Sequence, residues 1–144
     1  MPTKIYDISV DVKPGMHTHP GDPRFRSRQI KSTENDGYRL FKMSLCNHAG
    51  THVDAPAHFI KDGATIEEIP LEIMNGRVRV VEIYNKRHVD VDELSKLVRV
   101  DDFRILFKTR NSLLWKSRKT FQRKHIYLTL QASRYLVENG IKLV

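Results

Sequence analysis

Apolar and polar residues alternate along several short stretches of this 144-residue chain, and alternation with a period of two marks a half-buried strand. Phe41, Met43 and Leu45 take every other place within Leu40–Cys46. Stretches rich in β-branched and aromatic residues also run over Lys4–Val10, Arg28–Thr33, Arg77–Tyr84, Ile105–Lys108 and Ile126–Leu128, and each is expected to be a strand. Val78, Val80, Val81 and Ile83 make Arg77–Tyr84 the most buried of these. Asn35-Asp36-Gly37 reads as a turn between two strands. Two helices are expected. Asp92–Val98 is short and begins with acidic residues. Thr129–Asn139 has Thr129 as its N-cap and Gly140 as the residue that ends it. Strands that lead into a helix and then another strand indicate an α/β domain.

The candidate chemistry is concentrated in His48-Ala49-Gly50-Thr51-His52-Val53-Asp54-Ala55-Pro56-Ala57-His58-Phe59, which holds three of the seven histidines and an aspartate. Imidazole and carboxylate are the usual nitrogen and oxygen ligands of zinc and similar divalent ions. Three protein ligands and an open fourth position mark a catalytic rather than a structural site. Gly50, Thr51 and Pro56 disfavour a helix here, so His48 to His52 is expected on a strand-to-turn transition with Gly50 as the bend. His52 and Asp54 are two apart and point the same way in extended chain. Pro56 keeps Ala55 extended, and His58 continues that face. The alternative is that these are surface or hydrogen-bonded side chains, because a motif is only a hypothesis until its structural context is seen.

The run closely resembles the H-x-G-T/A-H-x-D-x-P-x-H signature of the cyclase-like metal-dependent hydrolases, a family that includes kynurenine formamidase and isatin hydrolase. Tyr6-Asp7-Ile8-Ser9 is similar to the family's opening strand and Pro20-Gly21-Asp22-Pro23 to its P-G-D-P loop. Leu106 to Ser112 and Tyr127 to Val144 are similar to its later core. The resemblance implies a mixed β-sheet domain of the swivelling β/β/α type with one or two helices packed on it. It implies His48, His52 and Asp54 as ligands of a divalent metal, zinc or manganese, with Asp54 able to bridge a second ion. His58 would be the catalytic proton donor and acceptor. The implied reaction is hydrolysis of an amide, formamide or cyclic-amide C–N bond in a small molecule by metal-bound hydroxide. A homodimer or higher homo-oligomer is implied as well.

The chain departs from the family in two places. Family members continue for about another sixty residues, which a single domain of ~100–200 residues would accommodate. Residues 1–144 are therefore expected to form one cyclase-like domain without its C-terminal part, which supplies a later His and a Glu. His88, in a charged stretch expected to be a solvated loop, and His125, at the head of a strand, have no matching context. The second departure is His19, which stands where the family often has an aromatic residue lining the substrate pocket; it lines the pocket here or is a plain loop residue.

Composition narrows the rest. Hydrophobic content of 40% and charged content of 29% are ordinary for a soluble protein. No apolar run approaches the length of a membrane span, and the first residues lack the apolar core of a signal peptide. The single cysteine, Cys46, excludes an intramolecular disulfide and is expected as a small core residue. A cytoplasmic protein without membrane partners is expected. The net charge of +8 is uneven: Phe103 to Val137 contains nine Lys or Arg and no Asp or Glu. With Trp115 and Phe121 this segment could meet an anion or nucleic acid. No nucleic-acid motif accompanies it, and a basic exposed loop is the preferred reading. The rival to the enzyme is a catalytically inactive, truncated homologue acting as an oligomeric or anion- or nucleic-acid-binding protein through residues 103–137.

Overall fold

The strands of this chain pair in twos, with helices between them, in a mixed α/β arrangement. The computed structural model describes residues 4–84, 87–99, 101–117 and 121–144, except the side chains of Lys116 and Ser117. The chain divides into two compact units, Met1–Val53 with Lys119–Phe121 and Asp54–Arg118 with Gln122–Val144.

In the first unit, β1 (Arg26–Lys31) and β2 (Leu40–Ser44) form an antiparallel hairpin with an irregularity between Gln29 and Lys31. The expected turn around Asn35 is a single helical turn, α1 (Thr33–Asp36), capped by Ser32 and closed by Gly37. Lys4–Val10 does not join a ladder. Its backbone donors go to side chains instead: Ser9 N–H to the Asp7 carboxylate at 2.9 Å and Val10 N–H to Thr51 Oγ1 at 3.0 Å. Among the described residues of this unit only Phe25 is buried.

The core lies in the second unit. Two parallel pairs form there, β3 (Arg79–Glu82) with β5 (Ile105–Lys108) and β4 (His88–Val89) with β6 (Tyr127–Leu128). Strand β3 is covered on one face only: Val81 and Ile83 are buried while Val78 and Val80 are about half exposed. Helices α3 (Val91–Leu97) and α5 (Leu130–Glu138) bury Leu94, Ala132 and Leu136 in the same cluster as Val89, Ile105, Ile126 and Ile141. Thr129 caps α5 as expected, accepting from Ala132 N–H at 3.1 Å. The chain also forms α2 (Leu71–Met74) and α4 (Asn111–Ser117), which the hydrophobic pattern does not indicate. His88 is in strand β4 rather than a solvated loop, because its neighbour Val89 is buried and pairs with Leu128. His125 precedes β6, its ring Nδ1 3.0 Å from the Gln122 carbonyl oxygen.

Polar side chains tie this framework together. The Arg104 guanidinium donates to three backbone carbonyls, Ile73 at 2.7 Å, Asn75 at 2.8 Å and Arg77 at 3.2 Å. Arg79 pairs with Asp102 at 2.7 Å, and Lys108 with Glu82 at 2.8 Å. Arg104 and Lys108 are thus committed within the fold rather than offered to an anionic partner. Arg118 and Lys119 of the basic segment lie outside the described residues. No helix among the described residues is long and apolar enough to cross a membrane.

Asp90 joins the starts of α3 and α5: its Oδ1 accepts from Val91 N–H at 2.8 Å and from the Thr129 hydroxyl at 3.0 Å. The Val91 N–H, then the Thr129 hydroxyl, hold its carboxyl below the ordinary aspartate value. A depressed carboxyl contributes stability that is present above the unfolded-state value of ~3.9 and is lost as pH falls through the folded-state value. Asparagine at this position keeps a capping oxygen without the charge. Urea midpoints measured at pH 7, 4 and 3 should therefore fall less steeply below pH 4 in Asp90→Asn than in the parent chain. Equal slopes would remove Asp90 from the acid response.

Candidate metal centre

The His48–His58 run starts beyond the end of β2 and holds its shape through a bend, a stretch of extended chain and a helical turn. Gly50 makes the bend at φ 74°, a left-handed conformation that costs a residue with a Cβ about 1–2 kcal/mol. Its position is also tight, since a Cβ there would lie 3.0 Å from Val12 Cγ2. Thr51 anchors the bend by accepting the Val10 N–H. Ala55 is extended, at φ −76° and ψ 158°, as Pro56 requires. Pro56–His58 then forms one turn of 3₁₀ helix. His58 is therefore brought round by a turn, not carried on the extended face that the spacing suggested.

The bend brings two imidazoles together. His48 Nδ1 and His52 Nε2 are 3.2 Å apart, their rings edge to face with centroids 5.1 Å apart. His52 Nδ1 is 3.0 Å from the Gly50 carbonyl oxygen. A carbonyl only accepts, so Nδ1 carries the proton and the neutral ring turns its Nε2 lone pair toward His48. His48 Nδ1 then donates to that lone pair, and the Asn47 amide, 3.3 Å away, donates to His48 Nε2. Two ligand atoms on one ion, at bond lengths of about 2.0–2.1 Å, sit roughly 3.0–3.4 Å apart. The observed 3.2 Å fits that spacing, and the Gly50 carbonyl gives His52 the outer hydrogen bond that metal-bound histidines usually have.

Along this run His48, Asp54 and His58 each offer a ligand atom, and these lie within 4.8 Å of one another. His48 is half-buried; His52, Asp54 and His58 are exposed. Two of the three residues expected as ligands, His48 and Asp54, thus fall in the group that could hold an ion, and His58 joins them. His52 is not in that group and touches it through His48. The His58 ring also packs against Phe59, centroids 4.1 Å apart. His19 is exposed and stands edge-on to Phe121, centroids 5.0 Å apart. Cys46 is half-buried just past β2 and outside the core cluster. His17, in the same loop as His19, has no place in the group.

A sequence model of the family described as "Putative cyclase" matches residues 6–144. The chain belongs to this family. It is 29% identical over 139 residues to the kynurenine formamidase of Geobacillus thermodenitrificans, covering 96% of this chain and 65% of that protein. It is 31% identical over 153 residues to cyclase-like protein 3 of Arabidopsis thaliana, covering 98% of this chain and 56% of that protein. The chain therefore spans less than two thirds of the length of these relatives. A solved structure described as a potential metal-dependent hydrolase with cyclase activity has a TM-score of 0.76 at 29% identity, covering 96% of this chain and 64% of that one. Isatin hydrolase A from Labrenzia aggregata shares the fold, with a TM-score of 0.77 at 24% identity over 96% of this chain and 65% of that one.

The bend should be sensitive to any added carbon. Gly50→Ala is expected to lower stability by about 1–2 kcal/mol from its backbone conformation, read as a fall in the urea midpoint. A midpoint equal to that of the parent chain would show that the bend can relax without cost.

Proposed function

We propose that the chain is the metal-binding part of a hydrolase that cleaves the C–N bond of a small amide, formamide or cyclic amide. The observation that carries this reading is the His48–His52 nitrogen pair at 3.2 Å, set in a run that also presents Asp54 and His58. The kynurenine formamidases among the relatives support the formamide class of substrate. His48, His52 and Asp54 would hold the ion, zinc or manganese, since both accept imidazole and carboxylate. When bound, such an ion polarises a carbonyl oxygen and lowers the pKa of water toward ~7.

The remaining work falls to the chain's own side chains. Gly50 O holds the Nδ1 proton of His52, which leaves the lone pair on Nε2 to serve as a ligand. A ligand bond through His48 Nδ1 would need the other neutral tautomer of that ring, with its proton on Nε2. His58 takes a proton from water as the water oxygen adds to the carbonyl carbon. It returns that proton to the leaving nitrogen as the C–N bond breaks, and the ring ends as it began. An imidazole ring can both accept and donate a proton, which suits both transfers. His19, edge-on to Phe121, is the pocket residue in this reading. A cytoplasmic location suits the single, unpaired Cys46.

The roles separate by substitution. His52→Ala should lose both metal, measured per chain by mass spectrometry, and turnover of formamides. His58→Ala should keep its metal and lose roughly 10²–10⁴-fold in kcat. Turnover retained in either variant contradicts the assignment.

A second copy of the chain is part of this proposal. Strands β1 and β2 leave Ile30, Leu40, Phe41 and Met43 exposed, and a lone two-stranded hairpin is marginal in water. Covering this hairpin with a partner supplies the missing burial. Sedimentation equilibrium should show a dimer or larger assembly that Met43→Asp weakens; a monomer at all concentrations would remove the partner.

A further inference from the structure

Proton transfer by His58 needs a fixed ring, yet His58 is exposed and ends a three-residue turn, a unit too short to hold itself. The stretch from Pro56 to Ala64 is built to hold it. Ile60 N–H donates to the Pro56 carbonyl at 2.9 Å, Gly63 N–H to the Ile60 carbonyl at 3.0 Å, and Ala57 N–H to the Ala64 carbonyl at 3.1 Å. The last bond closes the stretch into a loop whose two ends lie side by side. Asp62, at φ 58°, is the one residue other than glycine with a positive φ among the described residues, and such a conformation persists only where surrounding contacts impose it.

Gly63 is where the returning chain meets the turn. Its φ is outside the left-handed region, so the backbone conformation itself would accept alanine. The space would not: a Cβ there would lie 2.9 Å from the Pro56 carbonyl carbon, 3.0 Å from Ala57 N and 3.0 Å from the Ile60 carbonyl oxygen. All three are backbone atoms, two in the turn that carries His58 and one at Ile60 just beyond it, and no side chain can swing aside to make room. The glycine is needed for close approach of two backbones, not for a special φ.

We propose that Gly63 is a positioning residue for His58: the missing Cβ lets the returning chain lie against the Pro56–Ala57 peptide and so fixes the turn that ends in the His58 ring. This rests on reading His58 as the proton carrier. A Cβ at position 63 has to push Pro56 and Ala57 outward. His58 moves with them, while His88 in β4 and His125 just before β6 do not.

The test uses the full chain. In the metal-free protein, the imidazole C–H signals are recorded by NMR, and that of His58 is identified by its loss in His58→Ala. In Gly63→Ala the His58 signal should shift, because its ring sits against Phe59, while the His88 and His125 signals stay in place. With metal restored, Gly63→Ala should bind as much metal per chain as the parent. It should lose about 10- to 100-fold in kcat, the scale of a small misplacement of a catalytic group, with little change in KM. In the His58→Ala background the same substitution should cost nothing further. An unmoved His58 signal, or losses that multiply in the double variant, would overturn the proposal. If Gly63→Ala does not fold, Asp62→Gly loosens the same loop without adding an atom. Its effect on kcat should likewise vanish in the His58→Ala background, and persistence there would overturn the proposal. A parent chain that hydrolyses no amide defeats the functional reading, while the NMR comparison still decides whether Gly63 places His58.

Discussion

The metal site proposed for this chain depends on two imidazole nitrogens held 3.2 Å apart. Two neutral rings at that distance need one proton between them, and the Gly50 carbonyl decides where it goes. By accepting from His52 Nδ1 it leaves His52 Nε2 as a lone pair, which faces either the His48 proton or a cation. The arrangement exists because Gly50 takes a positive φ and so returns the chain on itself within five residues. Backbone, not side-chain packing, sets the spacing. A site of this kind can be built at an exposed position, where a packed core could not hold it.

The surrounding framework follows a similar economy, with backbone atoms pinned by single polar side chains. Arg104 gathers three carbonyls, where a run of separate caps would otherwise be needed. Asn111 acts in the same way: its amide donates to the Ile126 carbonyl and accepts the Ile126 N–H, both at 2.8 Å, as a neighbouring strand would. Asp90 serves two helix starts at once. These contacts order loops around the small core of the second unit. They also account for why Arg104 and Lys108 are poor candidates for an anionic partner even though they lie in a strongly basic stretch.

Local chemistry was legible in the sequence where it is decided locally. Ile105–Lys108 has the same ends in the structure as the apolar pattern gives it, and Thr129 caps its helix because a threonine before an apolar periodic run has few other uses. The bend at Gly50 was legible for the same reason. The sequence pattern missed what distant partners decide. His88–Val89 is a strand only because Tyr127–Leu128 lies beside it. Lys4–Val10 has strand-like composition, but its donors go to Asp7 and Thr51. At the site, the residue types and their family resemblance could be read, but the turn that carries His58 could not. Nothing in Pro56-Ala57-His58 announces a 3₁₀ turn, and Gly63 looks like any loop glycine until the backbone against it is seen. His58 therefore joined the ligand-bearing group by a route other than the extended face expected.

X-ray absorption at the metal edge of the zinc- or manganese-loaded protein reads the ligands of the ion directly. Scattering from two imidazole rings bound to the same ion is expected in the parent chain, and no bound ion in His52→Ala. A spectrum without imidazole scattering, or one unchanged by His52→Ala, would mean that the ion is not held by the His48–His52 pair.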